Sequence, residues 1–294
     1  MSGILVIDKP QEWTSHDVIG KLRGLLHIRR IGHSGTLDPM ATGVLVVFVG
    51  RATRAVQFAE ADEKEYEAGL RLGLETDTQD IWGQTLQTTD RPVTMDELEA
   101  ALPVFRGAIN QVPPMYSAIK RDGKKLYELA RRGETVVRKP REIFIHRLEL
   151  ISGAGQDFSL SVTCSKGTYI RTLCHDIGQA LGVGGVMSSL RRTRAGRFLL
   201  AEAITLEDVE NARDRSALLR PLDTLFMDHP SLELNTAQES GHRNGRTVET
   251  GAVPGTYRIY SGGTGRFLSL GRVSGQAGLL KAVKSFYSVS DEQR

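Results

Sequence analysis

Some residue types and patterns are scarce in this sequence, and their scarcity narrows the possible function. The 294-residue chain has two cysteines and 6% aromatic residues. Cys164 and Cys174 do not form a C-x-x-C pair, so the spacing of a structural zinc site is missing, and two small buried thiols are the favoured interpretation. No segment approaches the roughly 20 apolar residues that a membrane-spanning helix needs. The sequence therefore argues against a zinc protein and against a membrane protein.

Signals for secretion and for common cofactors are also missing. The first apolar run, Ile4–Ile7, is too short for the core of a signal peptide and has no basic lead, so we expect a cytoplasmic protein. The chain contains neither a G-x-x-x-x-G-K-[ST] loop nor a G-x-G-x-x-G turn, and its His and Cys residues do not have metal-ligand spacing. We therefore expect no cofactor and no bound metal.

Charge is distributed unevenly although the net charge is only +3. Residues 116–147 contain ten Lys or Arg and four acidic residues, a local charge of +6. Residues 188–197 add four arginines and no acid. A charged run is often only a solvated face, but two basic segments that flank a candidate site favour a phosphate-backbone partner.

Apolar periodicity predicts a chain of mixed helices and strands. Strands are predicted from short continuous or alternating runs at Ile4–Ile7, Val44–Val49, Tyr66–Leu72, Ile143–Leu150 and Phe158–Cys164. Helices are predicted after Thr14 or Ser15, after the Thr94–Glu97 capping box, at Leu126–Ala130, at Ile170–Ile177 and after Thr205. Because prolines cluster near residues 107–118, that segment is expected to be an irregular loop.

The composition and the hydrophobic pattern of the sequence change after about residue 228. Glycines become frequent, and short alternating runs such as Tyr257–Tyr260 and Phe267–Leu270 lie between them. This pattern predicts a small all-β module, and we place its boundary near Asp228–Pro230. A length of 294 residues also fits about two domains.

The segment Gly32–Gly43 holds one carboxylate, Asp38, in a loop rich in glycine and small residues. Glycines leave room for a ligand at the backbone, and Pro39 restrains Asp38 toward an extended conformation. A stiffly held carboxylate suits nucleophilic or acid–base chemistry, although for this loop taken alone a glycine-rich turn capped by the aspartate is the favoured interpretation.

This loop, with seven further segments in order, resembles the pseudouridine synthases of the TruB type, which modify uridine 55 of tRNA. The loop pattern is G-x-x-G-x-L-D-P-x-A-T-G, and two of its small residues, Ser34 and Thr36, depart from the common pattern without disturbing Asp38. The other matching segments are Asp8–Pro10, Lys64–Tyr66, Leu72–Gly73 with Thr76–Asp80, Pro114–Ala118, Gly123–Tyr127, Ser165–Arg171 and Leu190–Arg192. Together they cover roughly the first two-thirds of the chain, and a chance match of so many ordered motifs is very improbable.

The resemblance implies a fold and a reaction. The fold class is α/β (α+β): the pseudouridine synthase fold with a mixed, largely antiparallel sheet flanked by helices, plus a small C-terminal PUA-like β-barrel. The implied domains are residues 1–228 for catalysis, with a basic RNA-clamping insertion at about 112–142, and residues 229–294 for RNA binding. The implied reaction is the cofactor-free isomerisation of uridine 55 in the T-loop of tRNA.

The resemblance also assigns roles to individual residues. Asp38 is the catalytic carboxylate, which attacks carbon or removes a ribose proton; the sequence leaves both routes open. Arg171 is its ion-pair partner, and Tyr66 stacks on the target base and can assist deprotonation at C5. The implied substrate-binding residues are His33, Tyr169, Leu190, Lys9, Asp80, Lys120, Lys124, Lys125, Arg131 and Arg132.

The implied partner is the T-arm stem-loop of tRNA. The sequence does not reveal the oligomeric state, and a monomer is the default expectation. Lys9 is read mainly as a brace for the loop of Asp38, and Asp80 as either an RNA contact or a turn cap. Two alternatives stay open: a tRNA-folding chaperone with secondary catalysis, and a synthase of the same fold that acts on another RNA. A small-molecule lyase or hydrolase is a more distant alternative, because the basic segments argue against it.

Overall fold

A computed structural model describes residues 1–121 and 123–287. In chain order the strands are β1 (Gly3–Lys9), β2 (Ile31–Ser34), β3 (Thr42–Val49), β4 (Lys64–Leu72), β5 (Leu74–Thr76), β6 (Thr85–Thr88), β7 (Gly107–Gln111), β8 (Lys120–Arg121), β9 (Lys124–Lys125), β10 (Arg141–Ala154), β11 (Asp157–Cys164), β12 (Gly185–Ala195), β13 (Phe198–Leu199), β14 (Ser231–Leu234), β15 (Val248–Glu249), β16 (Gly255–Ser261), β17 (Phe267–Ser274) and β18 (Leu279–Ser285). The helices are α1 (Ser15–Leu26), α2 (Val56–Glu60), α3 (Met95–Ala101), α4 (Leu126–Ala130), α5 (Ile170–Ala180), α6 (Leu206–Asn211) and α7 (Thr236–Arg243).

A nine-stranded mixed sheet forms the centre of the molecule. Its path is β1-β3-β12-β4-β11-β10-β7, with β2 paired to β3 and β13 paired to β12. The pairing of β12 with β3 is parallel, and the other pairings in this sheet are antiparallel. The sheet is therefore mixed and largely antiparallel, with helices packed against it, which confirms the predicted fold class.

The continuous apolar runs of β1 and β3 are buried on both faces. Alternate residues point to opposite sides of a strand. Val44, Val46 and Phe48 therefore enter one core cluster with Phe226, whereas Leu45 and Val47 enter another. The second cluster contains the apolar faces of α1 and α6, so these two helices cover that side of the sheet.

Three predicted helix starts are confirmed, and a threonine side chain caps each of them. Thr14 accepts a hydrogen bond from the backbone N–H of Asp17 at the start of α1, and Thr94 accepts one from Glu97 at the start of α3. Thr205 caps α6 in the same way. Each cap satisfies backbone donors that have no partner within the helix.

The expectation of an irregular loop at residues 107–118 is wrong in its first part. Residues 107–111 form β7, which pairs antiparallel with β10 at the edge of the main sheet. The prolines that suggested a loop, Pro103, Pro113 and Pro114, lie outside this strand. An edge strand shows only a weak alternation, so the prolines dominated the prediction.

The C-terminal region forms a five-stranded sheet in the order β14-β16-β17-β18-β15. It also contains the helix α7, so the expectation of an all-β module is incomplete. Asn235 and Gln238 form a capping box at the start of α7, a signal that the glycine-rich texture obscured. The predicted domain reaches residue 294, and residues 288–294 lie outside the described part of the chain.

Aromatic packing joins this sheet to the rest of the molecule. The ring of Phe226 lies 5.3 Å from that of Phe58, 6.0 Å from that of Phe267 and 5.8 Å from that of Phe286.

Among the described residues, no helix is both long and apolar enough to cross a membrane.

Candidate active site

Asp38 lies in the loop between β2 and β3. The loop leaves β2 through Gly35, whose φ of +79° is a conformation that favours glycine. The carbonyl of Asp38 accepts a hydrogen bond from the N–H of Ala41 at 3.0 Å, which closes a turn around Pro39. The Asp38 side chain is 37% exposed, so its carboxylate reaches the surface of the molecule.

The guanidinium of Arg171 pairs with this carboxylate. Arg171 is in the first turn of α5, and its side chain is 5% exposed. Its Nε lies 2.8 Å from Oδ2 of Asp38, and its Nη2 lies 3.4 Å from Oδ1. Two residues separated by 133 positions are thus brought into a two-point ion pair.

Three further oxygens fix the orientation of the same guanidinium. Its Nη1 donates to the carbonyl of Thr78 at 2.9 Å, and its Nη2 donates to the carbonyl of Tyr116 at 2.8 Å. Its Nη1 also lies 3.5 Å from Oδ2 of Asp80. The arginine is therefore held by two separate loops while it contacts Asp38.

Asp80 is a buried carboxylate that caps its own turn. Its Oδ1 accepts from the hydroxyl of Thr78 at 2.8 Å and from the backbone N–H of Trp82 at 3.1 Å. Burial raises the pKa of Asp80, and its contacts with Thr78 and Arg171 oppose that effect. This placement fits the turn-capping alternative, while an RNA contact of Asp80 stays a prediction.

Tyr66 lies on the central sheet, in the same core cluster as Leu37, Met40 and Leu190. Alternation along β4 turns Lys64, Tyr66 and Ala68 to the buried face. Burial raises the pKa of the Tyr66 phenol, and the nearby Arg192 partly offsets this effect by charge and by a side-chain hydrogen bond.

Arg192 was given no role in the sequence analysis, yet it connects three parts of the site. The register of β12 against β4 puts Arg192 opposite Tyr66. Its Nε donates to the carbonyl of Val44 at 2.6 Å, and its Nη2 donates to the carbonyl of Gly35 at 3.1 Å. The only signal in the sequence was its place in the Leu190–Arg192 motif.

The side chain of Lys9 stabilises the loop of Asp38 by hydrogen bonds. Its ammonium donates to the carbonyls of Pro10, Trp13 and Pro39 at 2.7, 2.6 and 3.3 Å. Burial lowers the pKa of Lys9 to about 8, and the charge of Asp38 opposes this shift. The contact with Pro39 joins Lys9 to the residue after Asp38.

His33 and Tyr169 are two further predicted substrate-binding residues, and they belong to different elements. His33 is on β2, with its ring 6.1 Å from that of His16, and burial lowers the pKa of His33 to about 4. Tyr169 precedes α5. Its backbone N–H donates to Oε1 of Gln111 at 2.8 Å, and its carbonyl accepts from Nε2 of Gln111 at 3.0 Å. Leu190 is buried on β12 beside Tyr66.

The predicted RNA-clamping residues form a separate surface. They lie on β8, on β9 and at the end of α4, where all are exposed except the half-buried Lys125: Lys120, Lys124, Lys125, Arg131 and Arg132. Lys125 and Arg131 both approach the ring of Tyr127, at 5.3 and 5.5 Å. The described contacts do not join any of the five to Asp38, so the structure does not bring them into the site itself.

The arrangement provides one solvent-reachable carboxylate with a fixed cation behind it and apolar side chains beside it. Such a carboxylate can attack an electrophilic carbon or accept a proton. Within residues 1–121 and 123–287, no group of three or more His, Cys, Asp or Glu side chains is placed to hold a metal ion.

Known proteins with similar sequences and folds show the family to which this chain belongs. A family model described as "TruB family pseudouridylate synthase (N terminal domain)" matches residues 23–170, and one described as "tRNA pseudouridylate synthase B C-terminal domain" matches residues 171–227. The tRNA pseudouridine synthase B of Stutzerimonas stutzeri (strain A1501) is 45% identical over 282 residues, which cover 93% of this chain and 92% of that protein. The protein of the same name from Pseudomonas fluorescens (strain Pf0-1) is 46% identical over 286 residues, with coverages of 93% and 92%.

A solved structure of an H/ACA RNP bound to a substrate RNA containing 2′-deoxyuridine has a TM-score of 0.72 and 25% identity. The match covers 97% of this chain and 85% of that chain. The chain has the pseudouridine synthase fold and belongs to the TruB family of pseudouridylate synthases.

Proposed function

We propose that this enzyme converts uridine 55 in the T-loop of tRNA to pseudouridine, with Asp38 as the catalytic carboxylate. The observation that carries the proposal is the ion pair of Asp38 with the buried Arg171, at 2.8 Å, on the surface of a pseudouridine synthase fold. The names of the relatives, which are tRNA pseudouridine synthase B proteins at 45% and 46% identity, support tRNA as the substrate.

The proposed reaction needs no external group or electron carrier. The bond from ribose C1′ to base N1 breaks, the base rotates, and a bond forms from C1′ to C5. The proton on C5 leaves and N1 gains one, so atoms and charge balance. Asp38 either attacks C1′ or removes a ribose proton, and in both routes Arg171 stabilises the negative charge of the carboxylate.

Tyr66, Leu190 and Tyr169 are proposed to hold the uracil ring. An aromatic face and an apolar side chain suit a flipped pyrimidine, because they contact its faces without requiring charge. The phenol of Tyr66 is the candidate relay for the C5 proton. Arg192 is the group that can stabilise a developing charge on the Tyr66 oxygen, since it lies opposite Tyr66 in the sheet and its charge opposes the rise in the pKa of that phenol.

A uridine stacked inside the folded tRNA elbow must leave its stack before Asp38 can reach it. Extrusion costs a few kcal/mol, which phosphate contacts can offset. The exposed cations near residues 120–132 are proposed to supply these contacts, and His33 to pack among the nucleotides next to the extruded base. Residues 1–228 are proposed as the catalytic domain, and residues 229–294 as a PUA-like RNA-binding module, in an enzyme that acts as a monomer.

The test is to incubate the purified enzyme with tRNA transcripts and with a T-arm stem-loop labelled with tritium on C5 of uridine. We expect tritium release, and a single pseudouridine at position 55 when modified bases are mapped. Product at another uridine, or release only from an RNA other than tRNA, would contradict the proposed substrate.

A further inference from the structure

Trp82 is an exposed tryptophan that the catalytic proposal does not use. Trp82 is 53% exposed, and its neighbour Ile81 is 40% exposed. Among the described residues, the indole has no hydrogen-bond or ring partner. A large apolar side chain left in water is unfavourable unless a partner covers it, so this pair marks a candidate contact surface.

The turn that carries Trp82 is stiff. The backbone N–H of Trp82 donates to Oδ1 of Asp80 at 3.1 Å, and that of Gly83 donates to the carbonyl of Asp80 at 3.2 Å. The hydroxyl of Thr76 donates to the same carbonyl at 2.7 Å. The backbone of this turn is therefore already ordered before a ligand covers the indole, and binding costs little conformational entropy there.

The same turn lies between the catalytic pair and the basic insertion. On one side, Asp80 is 3.5 Å from Arg171, which holds Asp38. On the other side, Asp77 accepts a hydrogen bond from the hydroxyl of Tyr116 at 3.4 Å, and Tyr116 belongs to the insertion. An RNA that contacts the insertion and presents a nucleotide to Asp38 must pass close to this turn.

We infer that Trp82, with Ile81 beside it, is a stacking platform for an unpaired base of the RNA substrate next to the target uridine. A base fits better than a phosphate, because the carboxylates of Asp77 and Asp80 in the turn repel a phosphate but not the uncharged face of a base. Stacking of this kind is tolerant of sequence and adds affinity without chemistry. The inference rests on the proposed function, since it assumes an RNA substrate.

The test uses the fact that the chain has two tryptophans, Trp13 and Trp82. In the Trp13→Phe enzyme, Trp82 is the only indole, and we expect its fluorescence to be quenched when a T-arm stem-loop is added. We expect Trp82→Ala to weaken binding of that RNA about tenfold, the usual effect of losing one stacked base, with kcat unchanged. Trp82→Phe, which keeps an aromatic face, should recover most of the affinity.

Leu86→Ala is the matched control, because Leu86 is an exposed apolar residue on β6 of the same hairpin. Its RNA affinity should equal that of the unmodified enzyme. Unquenched Trp82 emission together with unchanged affinity in Trp82→Ala, while the RNA is still converted, would overturn the stacking inference and leave the proposed function intact. Failure of every T-arm substrate to be converted would instead count against the proposed function.

Discussion

Arg171 contacts five oxygens at once, and its shape explains how one side chain can do so. The planar guanidinium has five N–H donors in a fixed fork, whereas a lysine ammonium is a single point charge. Nε and Nη2 form the ion pair with Asp38, and Nη2 also donates to the carbonyl of Tyr116. Nη1 contacts the carbonyl of Thr78 and the carboxylate of Asp80.

Arg171→Lys should therefore keep the charge but lose the geometry. We expect kcat to fall about 100-fold because Asp38 is no longer held in position, with little change in the dissociation constant for RNA. Single-turnover kinetics and a binding titration on the same stem-loop measure the two quantities. Arg71→Lys in the exposed pair with Asp157 is the control, and it should change neither.

His33 should make the stability of the fold depend on pH. Burial lowers its pKa to about 4 in the folded protein, below the ordinary value of about 6.5 that an unfolded chain would show. Between these two values the unfolded state binds more protons, so stability is lost as the pH falls from about 6.5 toward 4.

The consequence is a difference between variants. When the pH is lowered from 7 to 5, the free energy of unfolding should decrease in the unmodified protein because His33 is buried. In His33→Gln this decrease should be smaller by roughly 1 to 2 kcal/mol. Urea denaturation at the two pH values measures it, with His27→Asn as the control at an exposed histidine. Equal losses in the unmodified protein and in His33→Gln would show that burial of His33 does not cause the pH dependence.

Single residues differ in how far the sequence could predict them. Asp38, Tyr66 and Arg171 were identified from motifs; the structure joins Asp38 to Arg171 in an ion pair and puts Tyr66 in the same core cluster as Leu37, the residue before Asp38. The placement of Arg192 opposite Tyr66 and the contact of Asp80 with Arg171 could not be predicted, because each joins distant segments whose approach depends on the tertiary fold.

At the scale of elements, Gly43 is where the loop of Asp38 meets the sheet. Its φ is +97°, and a Cβ there would lie 2.3 Å from the carbonyl oxygen of Arg192. Gly43 pairs with Lys9 of β1 on one side and with Arg192 of β12 on the other. The absence of a side chain thus allows three strands to meet beside the loop of Asp38.

Gly43→Ala should destabilise the protein in two ways. A positive φ costs about 1 kcal/mol or more for alanine, and the clash with the backbone of Arg192 should add about 1 to 3 kcal/mol. Gly155→Ala is the control, because its φ is +64° but nothing lies within 4 Å of the added Cβ. Thermal unfolding of both variants measures the difference. Equal stabilities of the two variants would mean that the close approach of Gly43 to β12 does not add to the cost of the substitution.

Elements with strong local signals were predicted well. The predicted starts at Thr14 or Ser15, at the Thr94–Glu97 capping box and at Thr205 located α1, α3 and α6, and the apolar runs located β1 and β3. The strand β7 and the helix α7 were missed because prolines and glycines nearby suggested loops and strands. Tertiary pairing with β10 stabilises β7 at the sheet edge, and no short-range pattern contains that information.

At the scale of the whole molecule, the net charge is only +3, but residues 116–147 are basic and carry the surface of Lys120, Lys124, Lys125, Arg131 and Arg132. If this surface binds tRNA, affinity should fall steeply with salt, because each neutralised phosphate releases counterions. Lys124→Gln combined with Arg132→Gln should lower the slope of log affinity against log salt by about two. Arg71→Gln, on the far part of β4, should leave it unchanged. A binding constant that does not vary with salt would contradict a role for this surface in RNA binding.

The central claim is that Asp38 acts in the chemistry and not in RNA docking. The direct measurement is single-turnover conversion of a T-arm stem-loop by Asp38→Asn, with the dissociation constant determined on the same RNA. We predict no detectable pseudouridine and an affinity within about threefold of the unmodified enzyme, because asparagine keeps the shape of the side chain but lacks its charge. Formation of product by Asp38→Asn at a rate near that of the unmodified enzyme would contradict the account.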